Sequence, residues 1–240
     1  NKLYLQSGEF SATIKTSLAI GTVEGNPQGI AWDGTNSPYV GFQSDKLYLQ
    51  SGQFSATLKT SRATGQLSPR GISNTDALHT PWCDDNANKM WLQSGQFSAT
   101  VKTSININAI DTTITDISWD GTNTPWSGTT SDKLYLQSGQ FSATLKTSVS
   151  ITGVDTDPRG VSWDQTDSPW CGTVSNKLYL QSGQFSATLK TSRDMSAIDG
   201  DPQGIENTNR LAAAGLSAAV MMVSARMFSW SGGMIGRQDI

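Results

Sequence analysis

The sequence is poor in the side chains on which catalysis and nucleic-acid binding most often depend. It has one histidine, two cysteines and only 15% charged residues, with a formal net charge of −3 over 240 residues. A broad basic surface is therefore excluded, and we expect no nucleic-acid partner. With one histidine, the chain can form at most one pair of a nucleophile and a histidine base.

What the chain does have is a repeat. The segment Lys-Leu-Tyr-Leu-Gln-Ser-Gly, or a close variant, recurs with its lysine at positions 2, 46, 89, 133 and 177, at spacings of 44, 43, 44 and 44. All ten lysines fall at only two repeat positions. A period of about 40 to 50 residues is typical of propellers and solenoids.

One complete unit, residues 157–200, divides into four short segments that read as strands. They cover residues 159–164, 168–172, 177–181 and 185–190, and the last two alternate with a period of two. Ser-Gly-Gln and Asp-Gly-Thr-Asn turns separate such segments. A β-helix needs shorter rungs, and a helical solenoid needs a 3.6-residue period that is absent. The unit therefore predicts an all-β fold, a β-propeller with four antiparallel strands per blade.

The same unit resembles the blades of NHL- and YVTN-type propellers. The matching motifs are Pro158 to Asp164, Pro169-Trp170 and Asn176 to Tyr179, with counterparts in the other units. The third unit departs, with Thr115-Asp116-Ile117 in place of Pro-x-Gly-Ile. The Ser- and Thr-rich repeats are also similar, more loosely, to repeat domains of marine bacteriophage virion structural proteins. The first resemblance implies the fold and says little about function.

The number of units predicts five blades. The pair of third and fourth strands occurs five times, whereas the pair of first and second strands occurs four times, and a fifth first strand appears at residues 202–207. We therefore expect a propeller over residues 1–209 whose closing blade is shared between 1–17 and 201–209. Six or seven blades remain open if the chain is part of a longer array.

Residues 210–240 form a C-terminal tail of different composition, rich in alanine and methionine. Asn207 to Asn209 offer helix N-caps, so a short helical or irregular tail is expected. Alternatively, residues 218–223 or 230–232 supply the missing second strand of the closing blade. We do not expect a membrane partner, because the apolar stretch is barely long enough and Arg226 interrupts it.

Aromatic residues of the second strand and aspartates after the first strand are the candidate ligand-binding residues. Trp82, Trp126 and Trp170 either pack blade against blade or stack on sugar rings in inter-blade pockets. Asp120 and Asp164 either close Asx-turns or offer oxygen atoms to a ligand.

His79 lies in a unit that has lost its Trp-Asp-Gly turn, close in sequence to Asp76 and Cys83. A tetrahedral zinc site needs more soft or imidazole ligands than this loop offers, so we expect no metal and no other cofactor. Cys83 and Cys171 occupy the same repeat position in blades that are not neighbours. We therefore expect two free, buried thiols.

These observations favour a non-catalytic binding protein. Up to five similar inter-blade sites would make modest affinities useful through multivalency, and a surface glycan or a protein is the expected partner. The alternative is a purely structural component of a virion or surface assembly. A glycoside-active enzyme with a carboxylate pair from facing loops stays open as a third possibility. We expect an extracellular or virion-associated protein.

Overall fold

Every described strand of this protein belongs to one of five four-stranded antiparallel sheets. The computed structural model describes residues 1–7, 13–74, 79–94, 100–139, 141–142, 144–186, 188–207 and 219–224. The strand order in each sheet follows the chain, apart from the sheet that joins the two termini. The expected all-β propeller of five blades is therefore confirmed.

The blades are named by their order along the chain. The strands of the first four blades, blade by blade, are β3 (Pro27–Ile30), β4 (Asn36–Gly41), β5 (Lys46–Ser51), β6 (Leu58–Ala63); β7 (Pro69–Ile72), β8 (His79–Asp84), β9 (Lys89–Ser94), β10 (Val101–Asn106); β11 (Ile114–Ile117), β12 (Thr124–Gly128), β13 (Lys133–Gln137), β14 (Leu145–Ser150); and β15 (Pro158–Val161), β16 (Ser168–Gly172), β17 (Lys177–Gln181), β18 (Leu189–Asp194). The closing blade consists of β19 (Pro202–Asn207), β20 (Ala219–Ser224), β1 (Lys2–Ser7) and β2 (Ile14–Ala19).

The closing blade is shared between the two ends of the chain, as the sequence predicts. Its second strand is β20, which pairs with both β19 and β1, so that Met222 lies opposite Ile205 on one side and Tyr4 on the other. Of the two alternatives for this strand, the one at 218–223 is confirmed. The propeller therefore extends past the expected boundary at 209, and the rest of the expected tail at 210–240, including the segment at 230–232, lies outside the described residues.

The first strand of each blade lies innermost. Each inner strand contacts the inner strands of both neighbouring blades, and β19 contacts β3, which closes the ring. Because all five inner strands occupy the same place in their blades, their first residues meet at one end of the ring axis. Positions at the start of these strands, although about 44 residues apart in sequence, are thus brought together.

Aromatic pairs in register form the core between the second and third strands. Trp126 stacks on Tyr135 with ring centroids 4.0 Å apart, and Trp170 stacks on Tyr179 at 4.2 Å. In the second blade Trp82 stacks on Trp91, at 5.4 Å. Four of the five blades have a ring at both positions, and these parallel-displaced rings bury apolar area between the strands.

Each outer strand is exposed on most of its length, and its lysine reaches the second strand. The Nζ atoms of Lys59, Lys146 and Lys190 contact Asn36, Asn123 and Asp167 respectively, at 3.1, 3.3 and 2.5 Å. In the second blade the corresponding contact joins Lys102 to the ring Nε2 of His79.

Acidic side chains attach three of the loops between blades to the blade that follows. Asp111 accepts hydrogen bonds from the backbone of Thr113 at 3.0 Å and from the hydroxyl of Tyr135 at 3.1 Å. Asp155 and Glu24 do the same in their loops, with Ser175 and Ser44. Within the residues described, no helix is long and apolar enough to cross a membrane.

Candidate functional site

A polar cavity of about 210 Å³ lies at the end of the ring axis where the inner strands begin. The second residue of each inner strand is the x of the Pro-x-Gly motif, and in four of the five blades this residue lines the cavity: Gln28, Arg70, Arg159 and Gln203. Its other lining residues are Asn26, Phe42, Asp157, Thr173 and Asp201. The cavity therefore lies between four blades of the ring, and the repeated inter-blade sites that we expected stay a prediction.

The third blade places Thr115 at the same position but does not contribute it to the cavity. Its hydroxyl donates to the carbonyl of Pro158 at 2.7 Å and contacts Ser127 Oγ at 3.0 Å. Thr115 therefore ties the third blade to the fourth. The cavity is accordingly lined by the blades on either side.

Arg70, on one side of the cavity, has a polar contact from each of its three guanidinium nitrogens. Its Nε and Nη2 lie 2.7 and 2.5 Å from Asp85 Oδ2, and its Nη1 donates to Gln28 Oε1 at 3.2 Å. The guanidinium also lies over the ring of Phe42, 4.3 Å from its centroid. These contacts hold Arg70 in one orientation.

Arg159 and Gln203 line the other side. Arg159 Nε lies 2.8 Å from Asp157 Oδ1, and Gln203 donates from Nε2 to Asp201 Oδ1 at 2.5 Å. Burial raises the pKa of Asp201, while Gln203 and Arg159 lower it. The charged lining thus combines two guanidinium groups with two carboxyl groups.

Below the cavity the inner strands approach so closely that glycine is required. A Cβ on Gly71 would lie 2.5 Å from the Cα of Asp116, and one on Gly29 would lie 2.7 Å from the Cα of Gly71. Gly160 and Gly204 are similarly close to the next inner strand. The Gly of the repeated motif is thus explained by the contact between neighbouring inner strands.

Asp116 takes the place of this glycine in the third blade, and sequence reasoning assigned it no role. Its side chain is buried, and Oδ2 accepts a hydrogen bond from the backbone N–H of Val161 in the fourth blade at 3.0 Å. Burial raises the pKa of Asp116 well above the usual range, and Glu206 adds to the rise. The departure of Thr115-Asp116-Ile117 from the repeat is the sequence feature that could have pointed to Asp116.

The three tryptophans predicted as ligand-binding residues are fully buried. Trp82, Trp126 and Trp170 each have 0% exposed surface and stack on the aromatic residue of the neighbouring strand. Their positions are those of the packing alternative. A ligand-stacking role stays a prediction. In this structure none of the three rings has a face exposed to a ligand.

The two predicted aspartates close turns. Asp120 Oδ1 accepts the backbone N–H groups of Thr122 and Asn123 at 2.7 and 2.5 Å. Asp164 does the same with Thr166 and Asp167 at 2.7 and 2.6 Å. The Asx-turn alternative is therefore confirmed, and neither residue lines the axial cavity.

The histidine and the two cysteines occupy regular positions of the repeat. His79 occupies the position of Asn36, Asn123 and Asp167, where the outer-strand lysine reaches it. Asp76 lies outside the described residues, and among the residues that are described no group of three metal-ligating side chains comes together. Cys83 and Cys171 are free and buried, as expected.

Comparison with known proteins supports the fold and not a particular function. The chain matches no protein-family model, and no curated protein is significantly similar to it in sequence. Among solved structures, Myxococcus xanthus glutaminyl cyclase is 11% identical and aligns over 84% of this chain and 93% of its own, with a TM-score of 0.65. A streptogramin B lyase is 12% identical over 87% of this chain and 79% of its own, with a TM-score of 0.48. A chain of a mitotic checkpoint complex is 10% identical over 74% of this chain and 56% of its own, with a TM-score of 0.50.

The chain is thus a five-bladed β-propeller by its own sheets and by its likeness to solved structures. At identities near 10% that likeness extends to the fold alone. The similarity to NHL- and YVTN-type blades and to bacteriophage virion proteins stays a prediction.

Proposed function

We propose that this protein is a non-catalytic binding propeller whose axial cavity receives one sugar residue of a surface glycan. The observation that carries the proposal is the lining of the cavity by paired hydrogen-bond donors and acceptors from four blades. Guanidinium, carboxylate and amide groups together suit a ligand that presents several hydroxyl groups.

The size and place of the cavity support the same ligand class. A volume of 210 Å³ lies below the ~300–1,000 Å³ of sites for drug-sized molecules. It therefore suits a single ring or a chain end. The cavity also occurs at a position where the blades differ, with Gln, Arg, Thr, Arg and Gln at the second inner-strand position.

The cavity also bears on the alternative of a glycoside-active enzyme. It contains two carboxyl groups, Asp157 and Asp201, and burial raises the pKa of Asp201, as in the acid of a glycosidase. Asp157 is paired with Arg159. We favour binding, and release of reducing sugar from a glycan that the protein binds would overturn the non-catalytic part of the proposal.

The proposal is tested by filling the cavity. We expect Thr173→Phe to reduce binding to an array of immobilised glycans at least tenfold, because Thr173 lines the cavity. Its control is Thr129→Phe, at the same repeat position in the third blade and outside the cavity. Both variants are first checked for an unchanged melting temperature.

The result separates the candidates. Failure of the wild-type protein to bind any glycan on the array would favour the structural role in a virion or surface assembly. Equal loss of binding in both variants would place the glycan site elsewhere on the propeller.

A further inference from the structure

Exposed apolar side chains are concentrated at the end of the propeller that carries the cavity. Among the residues that the structure describes, six large apolar side chains are exposed, and four of them lie at this end: Val23, Leu67, Val154 and Val174. Val174 directly follows the cavity-lining Thr173, and each of the other three precedes a lining residue by three positions. Since consecutive Cα atoms lie about 3.8 Å apart, the Cα atom of each is within about 11 Å of the Cα atom of a lining residue.

The loops that carry these four residues present little charge to the solvent. They are residues 20–26, 64–68, 151–157 and 173–176, and none of their charged side chains is exposed, because Glu24 and Asp155 are buried and Asp157 is half-buried. Single exposed apolar residues are ordinary on a protein surface, whereas a group of them around one cavity is typical of an interaction surface. Val23, Leu67, Val154 and Val174 are called the apolar rim below.

The chain itself leaves the propeller beside the cavity. Ser224, the last residue of β20, pairs with Pro202. Pro202 stands between Asp201 and Gln203, and both of these residues line the cavity. Residues 225–240 therefore begin at the edge of the cavity.

The fourth blade shows where the residue after Ser224 starts. There Gly172 pairs with Pro158 as Ser224 pairs with Pro202, and the next residue, Thr173, lines the cavity. In that blade the chain turns back at once into β17, the third strand of the same sheet. In the closing blade the third strand is β1, which comes from the other end of the sequence. Residues 225–240 are therefore not needed to continue the sheet.

The composition of residues 225–240 suits an apolar surface. Their large apolar residues outnumber their three charged residues and are Met227, Phe228, Trp230, Met234 and Ile235. Contact of such side chains with water is unfavourable, so an apolar surface within reach is favoured as a partner. Val23 follows β2 of the same closing blade, and Val174 belongs to the fourth blade, whose strands contact β19. Sixteen residues in extended conformation span roughly 50 Å, so the rim is within reach.

We propose that residues 225–240 dock on the apolar rim, with Met227, Phe228 and Trp230 covering Val23 and Val174. The segment then occupies the surface around the mouth of the cavity, and a ligand of the cavity competes with it for that surface. The inference does not depend on the proposed function, because it follows from the rim and from the point at which the chain leaves β20.

The docking is tested in the full chain by the reactivity of an introduced thiol. Val174→Cys places a cysteine on the rim, where the native side chain is 67% exposed, and Val101→Cys places one on an exposed apolar position at the start of β10, towards the opposite end. The native Cys83 and Cys171 are both 0% exposed, so a maleimide reports the introduced thiol. Each protein is compared with the same protein that also carries Phe228→Ser and Trp230→Ser.

We expect the two serine substitutions to speed the labelling of Val174→Cys at least about fivefold, because they release the segment from the rim, and to leave Val101→Cys within about twofold. Each thiol is compared with itself in the same place, so its own pKa does not affect the ratio. A chain without an introduced cysteine reports any unfolding through the labelling of Cys83 and Cys171.

Two results would overturn the docking. An unchanged labelling rate for Val174→Cys would show that the segment does not cover the rim and leaves it free for a separate partner. Protection of Val174→Cys that disappears on dilution of the protein would assign the rim to a second copy of the chain. Labelling is measured without a glycan, so either result leaves the proposed function standing, and a failure to bind glycans leaves the docking standing.

Discussion

Among the departures from the repeat, Asp116 changes the contacts between blades the most. Its carboxylate lies against Gly71 of the second blade, and it accepts a backbone hydrogen bond from Val161 while the N–H of Ile72 also lowers its pKa. Asp116 therefore links the second, third and fourth blades at the axis. The cost is a buried acidic group, and burial is the largest cause of its raised pKa.

The raised pKa predicts a pH-dependent effect of Asp116→Asn. Below the unfolded pKa, near 3.8, Asp116 is protonated in both states. Above it the unfolded chain ionises first, so the wild type loses stability relative to the variant as pH rises towards the folded pKa, by up to ~1.4 kcal/mol per pH unit. Urea unfolding of both proteins between pH 4 and pH 8 measures the difference. A difference that is constant over this range would contradict the prediction.

At the scale of the elements, the loops between blades are held by buried carboxylates. Asp111 is 3% exposed and receives the hydroxyl of Tyr135 as well as Ser131 and the backbone. Burial raises the pKa of Tyr135 to about 12, so its hydroxyl stays a donor at neutral pH. The tyrosine of the repeated Lys-Leu-Tyr-Leu segment thus serves both the aromatic stack and the loop.

Replacement of Tyr135 by Phe should therefore destabilise the protein by about 2 kcal/mol, because a buried carboxylate loses a donor. The control is Tyr39→Phe. Tyr39 has the same buried, stacked environment, but its hydroxyl has no hydrogen-bond partner in the described part of the chain. That change should be neutral within about 0.5 kcal/mol or stabilising. Thermal or urea unfolding compares the two, and equal losses would show that the hydroxyl of Tyr135 contributes nothing beyond packing.

At the scale of the whole molecule, the ring is closed by strands from both ends of the chain. Without β20 the strand β1 has no inner neighbour in its sheet, and β19 has no partner in the closing blade. Met221, Met222 and Val223 are each no more than 2% exposed. The closing blade thus depends on residues that composition alone assigns to a tail.

A chain that ends at Asn207 should therefore lose its single cooperative unfolding transition and expose apolar surface, because the closing blade cannot form a four-stranded sheet. A chain that ends at Ser224 keeps every strand of the five described sheets and should retain the transition. Differential scanning calorimetry and binding of a hydrophobic dye compare the two. A cooperative transition in the shorter chain would show that the ring closes without β20.

Much of the architecture was predictable because each blade repeats the same local pattern. Alternating residues, Ser-Gly turns and the count of third strands predicted five blades and the shared closing blade, whereas Asx-turns were only one of two alternatives for Asp120 and Asp164. The choice between residues 218–223 and 230–232 for the last strand was not predictable. Both segments are short, and only pairing with β1 and β19 decides between them.

The sequence by itself determined the blade, since strand alternation and turn formation depend on neighbouring residues. The tertiary structure decided the site. Arg70, Arg159 and Gln203 come from three blades and meet only because the ring closes with every inner strand at the same level. The same closure buries Trp82, Trp126 and Trp170. It also places Asp116, which departs from the repeat in sequence, in contact with the neighbouring blades on both sides.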